Sequence, residues 1–259
     1  MFILKRYYKF YKSNGLTKSI LKIVSSPWRI IYKIIYNNNK KKIFESISTK
    51  KRFELIHQTN FWSSNESVSG LGSEHKNTIN IKKEIINIIN YYKVKSILDA
   101  PCGDFNWIKD ILNDDLNYLG GDIVKNLIHE NLQKSKKKNI TFKELDITSD
   151  TLPNVDLMLC RDCLIHLSYK KINLFFQNFK KSNIKFLLLT SYKLKDQQIK
   201  IINSDIPDGE FREIDMSEPP FLLPEPVKKI LDKDEQTKTS AYYCYLNLYT
   251  KEQIDNLII

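Results

Sequence analysis

The chain has 259 residues, 42% hydrophobic and 12% aromatic, which is enough apolar surface to bury a full core and excludes a disordered chain. Its longest apolar runs, such as Phe186 to Leu189, fall far short of the roughly 20 residues that cross a bilayer, and none ends in a signal-peptide cleavage site, so neither an integral membrane protein nor a secretory precursor is expected. The net charge of +11 is uneven: residues 1–52 hold 14 of the 41 Lys and Arg against the single acid Glu45. The body is therefore near neutral, unlike an enzyme that surrounds its cleft with positive charge to grip nucleic acid. Four cysteines (Cys102, Cys160, Cys163 and Cys244) are too few for a disulfide framework in a chain this long, so a reducing cytoplasm is expected.

Residues 1–50 read as a basic amphipathic arm and linker, with two short helices separated at Ser25-Ser26-Pro27, and residues 51–259 as one domain. Two readings of the arm stay open: it lies on an anionic membrane at the inner face, or it packs on the body or on a partner protein. Phe61 to Ser73 is loop-like, with Ser73 placed to cap a helix whose apolar face is Ile81, Ile85, Ile88 and Ile89. Strands are predicted near Ser96–Ala100, Tyr118–Asp122, Ile140–Leu145, Val155–Cys160 and Phe186–Ser191, and helices starting near Phe105, Lys125 and Tyr169. Two late strands are predicted near Phe211–Asp215 and Tyr242–Tyr249. Strands alternating with helical stretches mark an α/β fold whose parallel sheet is covered on both faces.

The first three strands each end in an acid. Asp99 opens Asp99-Ala100-Pro101-Cys102-Gly103-Asp104, Asp122 closes Gly120-Gly121-Asp122, and Asp146 precedes Ile147. In an open parallel sheet ligands bind beyond the carboxyl ends of the strands, so three carboxylates converge on one edge. Cys160-x-x-Cys163 has no second close pair to complete a zinc site, and buried thiols are expected there, with no metal.

These segments, with Val155 to Cys160 and the following Arg161-Asp162-Cys163, resemble in order four motifs of the class I S-adenosylmethionine-dependent methyltransferases. The likeness covers roughly residues 70–191 and is similar in detail to a bacterial subgroup that has the Asp99–Asp104 turn, an upstream tryptophan (Trp62) and a glycine-rich serine loop. Where the family turn has three glycines, this chain has Pro101, Gly103 and Phe105. The resemblance implies a Rossmann-like fold with a seven-stranded sheet, order 3-2-1-4-5-7-6, its seventh strand antiparallel.

The resemblance also implies S-adenosyl-L-methionine as cofactor. Asp122 would accept from the ribose hydroxyls and Asp146 from the adenine amino group, beside Ile123 and Ile147. Asp99, Ala100, Cys102, Gly103 and Cys160 would surround the methionine portion, and Gly70 and Ser73 would close over it. Just after the fourth strand, Asp162 and His166 would share one face of a helical turn. His166 is the expected general base, or a group that orients the acceptor, with Asp162 or Arg161 positioning the substrate. Trp62, Arg212 and Phe221 are the expected acceptor contacts. The near-neutral body and the membrane-facing reading of the arm motivate the expected reaction, O-methylation of a small or sugar-like acceptor such as a surface-glycan precursor. An RNA methyltransferase that clamps its substrate with the arm, and a non-catalytic methyltransferase-like subunit docking to a membrane or partner, are the alternatives.

Overall fold

A computed structural model describes residues 47–196, 198–232 and 240–258, so the expected arm helices and the linker lie outside the described residues. Helix α1 (Thr49–Gln58), capped by the Ser48 hydroxyl, runs across the expected domain boundary at residue 50. It is followed by α2 (Ile79–Tyr91), β1 (Ser96–Asp99), β2 (Asn117–Asp122), α3 (Lys125–Lys134), β3 (Ile140–Glu144), β4 (Leu157–Cys160), α4 (Tyr169–Lys180), β5 (Phe186–Leu194), β6 (Lys228–Asp232), β7 (Tyr242–Thr250) and α5 (Lys251–Asp255).

The seven strands form one sheet in the order β3-β2-β1-β4-β5-β7-β6, with β7 antiparallel to both of its neighbours. This is the Rossmann-like topology that the resemblance implies. Strand order reverses between β1 and β4, and that reversal opens a crevice at their carboxyl ends.

The strands are apolar on both faces because helices cover both. Ile97, Leu157, Leu159 and Leu188 face one layer with Ile81, Ile85 and Ile88 of α2. Their sequence neighbours Leu98, Met158, Leu187 and Leu189 face the other, where α4 lays down Ile172, Phe175, Phe176 and Phe179 at helical spacing. Phe175 is fully buried, so truncating it to alanine costs about 3–5 kcal/mol.

Three local expectations are corrected. No α-helix starts near Phe105: that residue is left-handed (φ 58°), and a 3-10 turn over Ile108–Ile111 is all the helix that the β1–β2 crossover contains. Ser73 does not cap α2, whose N-cap is Thr78; Ser73 ends its own 3-10 turn. Phe211–Asp215 is not a strand. β4 stops opposite Leu189, and Ile214 supplies one carbonyl to the Tyr192 N–H beyond that end, which bonds a single residue without building a ladder. The sixth strand is instead Lys228–Asp232, whose lysines suit a sheet edge.

Candidate functional site

The crevice is a cleft of about 350 Å³, and the strand-end acids line it. Asp122 is buried; its carboxylate accepts the Gly103 N–H at 3.2 Å and the Val124 N–H at 3.0 Å. Burial outweighs these donors and pushes its pKa up to about 6. Asp99 is also buried and accepts the Tyr118 hydroxyl at 2.7 Å; burial, with Asp122 nearby, raises it to about 7. Asp146 is more open and accepts both the N–H and the hydroxyl of Thr148, which folds the β3 exit into a turn beside Ile147. Ile123 and Ile147 line the same cleft.

The turn after β1 is built against the serine loop. Gly103 has φ +55°, and a Cβ there would lie 2.1 Å from the Ser69 hydroxyl oxygen, so glycine serves both the backbone angle and the close approach. Asp104 clasps the loop: it accepts the Ser67 hydroxyl at 2.9 Å and the Val68 N–H at 3.0 Å, while its own N–H donates to Ser69 at 3.1 Å. Gly70 and Ser73, in the same loop, line the cleft together with Cys102 and Gly103. Phe105, where the family has a glycine, keeps the positive φ and buries its ring against Tyr118 and Phe142.

Beyond β4 the expected helical turn does not form, because Asp162 is left-handed (φ 53°) and only Leu164–His166 makes a 3-10 turn. The i, i+4 argument therefore fails, yet Asp162 and His166 both line the cleft. Arg161 is buried in an ion pair with Asp232, at 2.8 and 3.0 Å, and donates to the Gly72 carbonyl at 2.8 Å. Burial pulls its pKa down, but Asp232 and Asp162 more than reverse this and hold the guanidinium charged. Its hydrogen bonds hold the roof of the cleft to β6. Asp162, Asp232 and Cys244 carry possible metal donors within 4.8 Å of one another. The guanidinium bonded to Asp232 already supplies the positive charge there, and a cation would be repelled by it.

His166 is oriented by the carbonyl of Glu210, 2.7 Å from Nδ1. A carbonyl only accepts, so Nδ1 carries the proton and, in the neutral ring, Nε2 is the acceptor. Trp62 stacks on the imidazole at 5.2 Å and 29°, and Phe211 meets it at 5.9 Å. Cys160 is hydrogen-bonded to Cys163; this bond and burial push the Cys163 thiol well up, which makes it a poor nucleophile.

Four expected contacts are not on the cleft. The side chains of Ala100 and Cys160 are wholly buried in the core, because they occupy inward-facing positions at and just beyond strand ends. Phe221 is buried edge-on against Tyr169. Arg212 is buried with its guanidinium over the Tyr169 ring, on the side of its segment opposite to Phe211, which does line the cleft. Asp104, Phe211 and the α1 residues Thr49, Phe53 and Ile56 are site residues that the sequence reading missed. The 49, 53, 56 spacing is a helical stripe that was legible in principle.

No protein-family profile matches the sequence, and no curated protein matches it. Among solved structures, PigF with SAH is similar over 77% of this chain and 62% of its own, at 12% identity and a TM-score of 0.53. Human N-acetylserotonin methyltransferase in complex with SAM aligns over 85% and 59% (15% identity, TM-score 0.49). Magnesium protoporphyrin IX methyltransferase from Synechocystis PCC 6803 with bound SAH aligns over 85% and 97% (12% identity, TM-score 0.48). The chain thus spans less than two thirds of the PigF and human chains. The PigF likeness is one of fold, and it agrees with the strand order above: the fold is the Rossmann-like, seven-stranded α/β fold of class I methyltransferases.

Proposed function

We propose that the chain is an S-adenosylmethionine-dependent methyltransferase, of the subgroup with the Asp99–Asp104 turn, that methylates a hydroxyl on a small, ring-bearing acceptor. The observation that carries this reading is Asp122, a buried carboxylate at the end of β2, bonded to the Gly103 turn and raised by burial to about 6. A carboxylate in that setting is stabilised by further donors, and a vicinal diol such as a ribose supplies two.

Asp122 would hold the ribose, Asp146 with Ile123 and Ile147 the adenine, and the Gly103 turn under the Gly70–Ser73 roof the amino-acid end. When bound, the cofactor supplies an electrophilic methyl group on a sulfonium. The protein's part is to align the acceptor and accept its proton. His166 is set for this by the Nδ1–H bond to Glu210, which leaves Nε2 as the accepting atom. Asp162, beside it on the cleft, orients the acceptor, while Arg161 holds the roof.

A sugar-like acceptor, such as a surface-glycan precursor, is one form of this reading, since Trp62, a residue type that stacks on sugar rings, lines the cleft. The acids on the cleft wall speak against an RNA acceptor. The reading places the chain in the cytoplasm, its basic arm resting on the anionic inner membrane face or on a partner protein. No helix among the described residues is long and apolar enough to cross a membrane. Transfer of a labelled methyl group from S-adenosylmethionine to fractions of a small-molecule extract tests the reading. Label appearing with wild type and lost with His166→Ala supports it; no transfer by a cofactor-binding chain favours a non-catalytic subunit.

A further inference from the structure

The wall around His166 differs from the rest of the cleft. Trp62 lies nearly parallel on the imidazole, Phe211 closes the next side, and Tyr192 backs Phe211 edge-on at 6.3 Å. Phe211 is 52% exposed and lines the cleft, so its ring adds to the aromatic corner at His166 rather than standing alone on the surface. Helix α1 lines the same cleft with Thr49, Phe53 and Ile56. That helix is tied across the cleft mouth, by the Lys50–Glu144 ion pair at one side and by Arg52 donating to the Asp208 carbonyl at 3.2 Å on the other.

Charge narrows the choice of occupant. Asp99, Asp104, Asp122, Asp146 and Asp162 line the cleft, against Arg161, whose guanidinium is bonded to Asp232. Among the described residues that line the cleft, an anionic acceptor would meet this field with no lysine and no other arginine offered to it. An uncharged ring would instead gain dispersion and stacking contact with the aromatic corner.

Resting on the methyltransferase reading, we infer that Trp62, Phe211 and Phe53 form a specificity slot for an uncharged ring carrying a hydroxyl, held with that hydroxyl at His166. Two sources share this chemistry: a phenol, which stacks by its π face, and a sugar, which stacks by its C–H face. Phe211 is the specificity-determining residue, because its half-exposed ring is backed by Tyr192 and carries no part of the cofactor end.

The test uses the full chain saturated with S-adenosylhomocysteine and three probes followed by ligand-observed NMR: 4-methylphenol, methyl α-glucopyranoside and 4-methylbenzoate. At least one of the two neutral rings binds, and the benzoate binds about tenfold more weakly than that ring. Phe211→Ala weakens the neutral ring by about fivefold or more, Phe211→Tyr restores it, and affinity for S-adenosylhomocysteine stays unchanged in both. The probe that responds to Phe211 tells the phenol source from the sugar source. Benzoate binding as tightly as the neutral rings, no neutral ring binding, or an affinity indifferent to Phe211→Ala would each overturn the slot while leaving the cofactor site intact. Failure of wild type to bind S-adenosylhomocysteine would instead bring down the methyltransferase reading, and the slot with it.

Discussion

Asp104 and Ser69 are bonded in both directions, the serine hydroxyl donating to the carboxylate at 3.4 Å and accepting the Asp104 N–H at 3.1 Å. With Ser67 and Val68 on the same carboxylate, this pair fixes the roof of the cleft to the turn that follows β1. Asp104→Ala leaves those donors without their acceptor. It should cost about 1–3 kcal/mol in urea unfolding and weaken S-adenosylhomocysteine binding, with Asp104→Asn between it and wild type. An unchanged midpoint and affinity would show that the roof needs no clasp.

The raised carboxyls give a pH dependence of definite sign. Asp122 at about 6 and Asp99 at about 7 both bind a proton in the folded chain at pH values where the unfolded chain has lost it. Their contribution to stability is full below the ordinary carboxyl range and is lost as pH rises through 6 and 7. Between pH 4 and pH 7 the ligand-free Asp122→Asn variant should therefore lose less stability than wild type. Hydroxyl donors favour the ionised form, so affinity for S-adenosylhomocysteine should rise with pH through about 6 in wild type and stay flat in Asp122→Asn. Titrations at pH 5 and pH 7 with equal affinities in wild type would contradict this.

His166→Ala removes the proton acceptor but none of the cofactor contacts. Turnover of the acceptor should fall by about 10²–10⁴-fold with cofactor affinity within twofold of wild type. Equal losses in both would mean that the ring only supports the wall formed with Trp62.

Arg161 and Asp232 make a test of support without chemistry. Arg161→Met strands a fully buried carboxylate and should destabilise the fold by about 3–5 kcal/mol. Arg161→Met combined with Asp232→Leu should recover much of that stability, yet leave the roof loose through the lost bond to Gly72 and so keep a raised KM for the cofactor. Full recovery of KM in the double variant would remove Arg161 from the account of the roof.

The three acids and the Gly103 turn were legible because each rests on local pattern, an acid at a strand end and a glycine in a tight turn, whereas the strand order was reached only through the family resemblance. The acceptor side was less legible. Phe211 sits in a segment that reads as a strand, but beyond the end of β4 only the Tyr192 N–H of β5 bonds its backbone, at Ile214, a fact of register that no single segment carries. Phe221 and Arg212 were chosen by position in the chain, and burial against Tyr169 takes both off the cleft. Helix α1 was hidden by its basic residues, since Lys50 and Arg52 read as part of a charged arm until Glu144 and Asp208 were placed opposite them.

The most direct measurement is isothermal titration of S-adenosylhomocysteine into the wild-type chain and into Asp122→Ala. Saturable binding to wild type, weakened by about tenfold or more in the variant, is the expected result. No binding to wild type, or equal binding to both, would contradict the assignment of the cofactor to the end of β2.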